Sequence, residues 1–498
     1  MKNTERTAGI LMPLFSIPSP YGIGTLGLEA RKFVDFLHAA GQSCWQMLPV
    51  GPISYGDSPY QSFSSYAGNP YYVDPDILIE DGLLTKEEVS SPDFGQDPEK
   101  IDYGKLYENR IGLLTKAARR GIARDREAFS AFIRKKAWLP DYALFMALKQ
   151  HFDSRPWFEW PDEDIRLHRP EACAKWRSEL REEVEMYEYI QFLFYRQWAQ
   201  LKAYANDAGI SIIGDLPIYV ALDSADVWAE PHWFRLDEKN IPVEVAGVPP
   251  DLFSADGQLW GNPLYDWDAM EADGFSWWVR RIAGAGELFD RIRIDHFIGI
   301  ESYFAVPYGE TSARNGHWVK GPGIRLVDTL KERFPQLDFI AEDLGYSTPE
   351  VRQLLKESGF PGMKLLVAAF DAMNTTAFRP HNFVSNCICY TGTHDNHTLA
   401  GWLAIAGEEE LSTAKQYFGL NEEEGFCRGV LRGGMSSVAR LFVAQMQDWL
   451  ELGDEARINA PGVPMGNWTW RMRPGAATEE LAEEILKMTR LYGRTAPE

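Results

Sequence analysis

The chain has 498 residues, with 50 Lys and Arg against 72 Asp and Glu, a formal net charge of −22, and 45% hydrophobic residues. So much apolar surface offsets the entropy of ordering, which excludes intrinsic disorder, and no uninterrupted apolar stretch is long enough to span a bilayer. The excess of carboxylates repels phosphate backbones and anionic lipid, so neither nucleic acid nor a membrane is an expected partner.

In chain order, the opening MKNTERTAGILMPLF lacks the charged start, apolar core and small-residue cleavage site of a signal peptide, and a cytoplasmic protein is expected. Runs that are apolar at nearly every position then recur, as parallel strands buried on both faces require. They predict strands over Gly9–Phe15, Ser43–Val50, Ile210–Leu216, Arg291–His296, Asp338–Asp343, Gly362–Phe370, Cys387–Thr393 and Ala456–Ala460. Helical spacing over Glu29–Ala40, Ser276–Gly284, Gly323–Phe334 and Pro349–Ser358 alternates with them. Eight such units suggest an α/β fold of the (β/α)8 TIM-barrel type; a doubly wound sheet has the same periodicity. Two stretches interrupt the alternation. Residues from about 70 to 205 are charged and helix-patterned, with Glu183–Ala208 an amphipathic helix feeding the third strand. Residues 217–275 are rich in Pro, Gly and Trp. Both read as insertions after strands 2 and 3 of one catalytic domain, 1–498. The five cysteines, Cys44, Cys173, Cys387, Cys389 and Cys427, are scattered without a CxxC spacing and read as buried and reduced.

Gly22-Ile-Gly-Thr-Leu-Gly27 matches the dinucleotide-binding GxGxxG pattern. However, the loop Ser16–Tyr21 is too long for the tight turn that motif needs, and Trp45-Gln-Met-Leu-Pro49 offers no acidic residue for a ribose. More informative are acidic residues where buried runs stop: Asp215, Asp295, Glu342 and Asp395. A carboxylate in an apolar run is costly unless something uses it, and on a barrel these four strand ends converge at one face. Strand period puts Arg293 and Asp295 on one face, where the arginine keeps the aspartate charged. Of the neighbours Glu342 and Asp343 only one can point inward, and spacing does not decide which. Two carboxyls about 5–5.5 Å apart are the geometry of a retaining glycosidase. Aromatics mixed with polar residues, in Ser58–Phe63, Asn69–Tyr72 and Phe253–Tyr265, suit sugar rings, which offer a C–H face and a hydroxyl rim. A metal site at His296, His394 and His397 competes, but no His-x-x-x-His helical pair supports it.

The segments RIRIDHF, AEDLG and TGTHDN resemble the conserved motifs of the α-amylase clan. PSPYGIGTLG, GDSPYQSFSSYAGNPYY, GDLPIYVALDSADVWA, AGVPPDLFSADGQLWGNPLYDW and MGNWTWRM are more closely similar to the amylomaltases, the 4-α-glucanotransferases of glycoside hydrolase family 77. The resemblance implies a barrel with inserted, largely helical subdomains and no separate C-terminal β-domain. It also implies a retaining transfer of an α-1,4-glucan segment to a 4-hydroxyl acceptor. Asp295 matches the nucleophile, Glu342 the acid/base and Asp395 the third carboxylate. Arg293, Asp215, His394, Tyr60, Trp260 and Asn467 match substrate-binding positions. Ser58, Pro250 and His296 are expected with them, and residues 249–267 match a loop overhanging the cleft. No cofactor or metal is implied. Expected partners are maltose, maltotriose, maltodextrins, amylose and glucose, and the protein is expected to be a monomer or homodimer. A hydrolase of α-1,4-glucans and a maltodextrin-binding protein without turnover are the alternatives.

Overall fold

The computed structural model describes residues 6–54, 56–250, 254–371, 376–463 and 465–495. Eight strands run parallel in chain order: Thr7–Leu11, Cys44–Gln46, Ser211–Leu216, Arg291–Ile294, Asp338–Ala341, Gly362–Leu365, Cys387–Tyr390 and Leu441–Gln445. The last pairs with the first, Thr7 opposite Leu441. Between the fifth and sixth, Ala341 N donates to Pro361 O at 3.0 Å, so the ring closes and the doubly wound alternative falls away.

The strands alternate as a closed barrel demands. Leu11, Ile213, Ile340, Met363, Ile388 and Val443 pack together in the lumen. Their neighbours Ile10, Ile212, Phe339 and Phe442, with Ile292 and Ile294, belong to the outer core beneath the helices. Towards the C-terminal end the lumen turns polar: Tyr390 OH donates to Gln46 Oε1 at 2.9 Å, and Asp215 lies opposite Arg293 in the strand register.

The eighth strand corrects the expectation from sequence. Ala456–Ala460 is not a strand; it follows a short 3-10 turn, Asp454–Ala456, and the eighth strand is Leu441–Gln445, buried throughout. LFVAQ sits between two helical stretches, Phe426–Ser436 and Met446–Trp449, so its local period merges with theirs and the pattern gives no boundary.

Between the second and third strands lie the helices Tyr103–Arg124, Arg126–Lys135, Leu139–His151 and Arg181–Asp207. Beyond the third strand the structure adds something unanticipated, a four-stranded antiparallel sheet. Its order is Gln258–Pro263, Glu244–Val248, Ser302–Pro307, His317–Lys320, so it draws strands from both sides of Asp295. Residues 251–253, including Phe253 of the expected overhanging loop, lie outside the described residues. The C-terminal helix Glu479–Leu491 returns to the first helix, Leu28–Ala39, where Gln42 Nε2 donates to Thr489 Oγ1 at 3.0 Å. Among the described residues no helix is long and apolar enough to cross a membrane.

Candidate active site

Asp215 is the last residue but one of the third strand, Asp295 follows the fourth, Glu342 the fifth, and Asp395 lies in the turn after the seventh. In a parallel barrel all four ends open on one face. Ile294 and Ala341 are register partners, so Asp295 and Glu342, each one residue on, occupy adjacent strand ends.

Arg293 joins two of these acids. Its Nη1 donates to Asp215 Oδ1 and Oδ2 at 2.6 and 2.7 Å and to Asp295 Oδ1 at 2.9 Å. Burial opposes the guanidinium charge, but Asp215 and then Asp295 outweigh it and hold Arg293 firmly protonated. The Asp215 side chain is 1% exposed and that of Asp295 25%, so only Asp295 faces the opening. Tyr60 OH donates to Asp215 Oδ2 at 2.7 Å, and burial keeps that phenol protonated.

Glu342 has the opposite surroundings. Burial pushes it up from 4.5 to about 8; Arg293 and two backbone N–H groups oppose this, and the charge on Asp295 adds to it. His296 N donates to its Oε2 and Leu344 N to its Oε1, each at 2.7 Å. His296 reaches that position at a φ of 48°, the left-handed region that costs a non-glycine residue about 1–3 kcal/mol and clusters at functional sites. Burial lowers the His296 ring to about 4, so it stands neutral against Trp260, edge to face at 4.8 Å. The neighbouring Asp343 turns the other way. Its Oδ1 accepts from Met363 N at 2.7 Å, and a Cβ on Gly362 would meet that oxygen at 2.7 Å. Asp343 therefore locks the fifth strand end to the sixth, and Glu342 is the acid left for the cleft.

On the far side, Tyr60 stacks on His394, ring centroids 5.1 Å apart, and His394 Nε2 lies 3.3 Å from Asp395 Oδ1. The same oxygen accepts from Asn459 Nδ2 at 2.6 Å. Trp468 packs against both Tyr60 and His394 at 5.8 Å. Asp215, Arg293, Asp295, Tyr60, His394 and Asp395 thus form one linked set, with Glu342, His296 and Trp260 joined through the adjacent strand end. Three expected residues are not drawn into it by side-chain contacts. Ser58 Oγ accepts from Tyr60 N at 3.3 Å, within its own turn. Pro250 is exposed. Asn467 pins its own loop, accepting from Ala460 N at 2.9 Å and donating to Val463 O at 2.8 Å. Sequence reasoning missed Asn459 as a partner of Asp395, because that stretch was assigned to a strand. It also missed Trp468, whose only signal is its place in an aromatic run next to Asn467.

The chain is similar to known proteins over nearly its whole length. The glycoside hydrolase family 77 model, described as 4-alpha-glucanotransferase, matches residues 12–478. The chain is 49% identical over 486 residues to a 4-alpha-glucanotransferase of Clostridium butyricum, covering 97% of this chain and 100% of that one. It is 48% identical over 495 residues to one of Thermus thermophilus, covering 97% and 98%. Among solved structures it is similar to the amylomaltase of Streptococcus agalactiae in complex with acarbose, with a TM-score of 0.97, 41% identity, and 99% and 100% of the two chains covered.

Proposed function

The chain belongs to the 4-α-glucanotransferases of glycoside hydrolase family 77, and from that premise we propose that Asp295 and Glu342 carry out a two-step transfer between α-1,4-glucans. The observation that carries the reading is the contrast between adjacent strand ends. Asp295 accepts from Arg293, whereas Glu342 keeps its proton up to about pH 8. One is suited to attack and the other to donate.

In the first step an Asp295 carboxylate oxygen bonds to the anomeric carbon while the bond to the glycosidic oxygen breaks. Glu342 gives its proton to that oxygen, and the released chain departs with a free 4-hydroxyl. In the second step Glu342, now a carboxylate, takes the proton of an acceptor 4-hydroxyl, whose oxygen displaces Asp295 from the anomeric carbon. Two inversions restore the α configuration, and Glu342 is again protonated. Asp395, with its Oδ1 held by Asn459, grips ring hydroxyls through its other oxygen. Tyr60, Trp260, His296 and His394 line the sugar, Asp215 acts from behind them through its bonds to Tyr60 and Arg293, and Ser58, Pro250 and Asn467 shape the loops around it. Maltose, maltotriose, maltodextrins, amylose and glucose are the proposed substrates. The cysteines are free and buried, which suits a reducing compartment, and a cytoplasmic location is part of the proposal.

Incubation with maltotriose tests it. The expected products are glucose and a ladder of longer maltodextrins, absent with Asp295→Asn. Shorter products alone would make the protein a hydrolase, and near-normal turnover in Asp295→Asn would remove that residue from its role.

A further inference from the structure

The segments that follow Asp295 and Glu342 share a feature that the transfer chemistry does not use. After Asp295 the chain passes through a 3-10 segment, Phe297–Ile300, into the strands Ser302–Pro307 and His317–Lys320, with Phe304 opposite Trp318. After Glu342 a short loop bearing Tyr346 leads to the helix Pro349–Ser358. The rings of Trp318 and Tyr346 stack with centroids 6.0 Å apart and planes within 26°. They remain 44% and 68% exposed, although Phe304 supports Trp318 from below, edge to face at 5.4 Å. A backed shelf of two large rings left in water, one on an edge strand after Asp295 and one on the loop after Glu342, calls for an occupant.

We propose that Trp318 and Tyr346 form an outer stacking platform for a glucose unit of a long α-1,4-glucan whose reacting linkage lies at Asp295 and Glu342; this rests on the glucan-transfer reading above. Tyr346 is four residues beyond Glu342, so their Cα atoms are at most ~14 Å apart, and a polymer leaving a site at this face must cross the loops after the strands. Flat rings meet the C–H face of a sugar, and the exposed Ser347 beside them suits its hydroxyl rim. A protein partner would need about 800 Å² of surface on each side, far more than two rings supply. On this proposal the shelf holds a glucose unit beyond those that a short donor such as maltotriose sets at the carboxylates, so only longer chains gain from it.

The test compares kcat/KM for maltotriose and for a long maltodextrin of defined length, with glucose as acceptor. Trp318→Ala and Tyr346→Ala are each expected to lower the long-to-short ratio roughly three- to tenfold, the worth of one aromatic stack. Maltotriose rates should stay within about twofold, and Tyr346→Phe should keep the wild-type ratio. Tyr346, two-thirds exposed in a loop, can be truncated even if Trp318→Ala harms its edge strand. An unmoved ratio in Tyr346→Ala overturns the platform while wild-type transfer continues. Failure of the wild-type protein to make longer maltodextrins overturns the transfer reading and the platform with it.

Discussion

Glu342 is where burial and chemistry meet most directly. The residue is 7% exposed, and burial lifts its carboxyl to about 8, so a step that needs its proton fails as pH rises through that value. A basic limb near pH 8 is expected in the kcat/KM profile for maltotriose. The same shift has a stability consequence of definite sign. A group whose folded pKa lies above its unfolded value of 4.5 contributes fully below pH 4.5, and that contribution is lost as pH rises to about 8. The Tm of wild type relative to Glu342→Gln is therefore expected to fall between pH 4.5 and 8 and to level off above. A flat difference across that range would contradict the burial argument. The Arg293–Asp295 pairing is legible from strand period alone. The choice between Glu342 and Asp343 is not, because it turns on Met363 N and Gly362, residues of another strand.

At the level of elements, two glutamines of the helix Arg181–Asp207 hold the segment that follows the Tyr60 loop. Gln191 Oε1 accepts from Gly68 N and its Nε2 donates to Gly68 O, both at 2.8 Å. Gln197 does the same for Asp74, at 2.7 and 3.2 Å. Both side chains are wholly buried, and each satisfies a donor and an acceptor that no regular ladder reaches. Gln191→Leu would strand both groups of Gly68, each costing about 1–3 kcal/mol. A loss of about 2–4 kcal/mol is expected in denaturant unfolding, together with weaker maltotriose turnover as the Tyr60 loop loosens. The helix Pro349–Ser358 could be bounded from sequence, because Thr348 caps Val351 N and a proline opens the first turn. The strand Leu441–Gln445 could not, since its neighbours in sequence are helical and its neighbours in space are the first and seventh strands.

Across the whole molecule, the barrel gathers onto one face carboxylates that lie 180 residues apart, from Asp215 to Asp395. Among the described residues no group of three or more His, Cys, Asp or Glu side chains is placed to hold a metal ion. His397, one candidate ligand, instead meets Asp454 at 2.6 Å. Exhaustive dialysis against a chelator is expected to leave the maltotriose rate within about twofold; a loss restored by added divalent metal would contradict this.

The amino-acid sequence alone determined the alternation of buried strands and helices, seven of the eight barrel strands and the four acidic strand ends, while closure of those strands into a ring rather than a doubly wound sheet came from their pairing in space. Buried parallel strands impose a continuous apolar pattern, and a carboxylate that breaks it stands out locally. Tertiary structure decided where the eighth strand lies, which of Glu342 and Asp343 enters the cleft, that Asn459 steadies Asp395, and that segments on both sides of Asp295 form one antiparallel sheet. Each of these depends on atoms far apart in the chain, whose contacts arise only when the ring of strands closes and leave no trace in local periodicity.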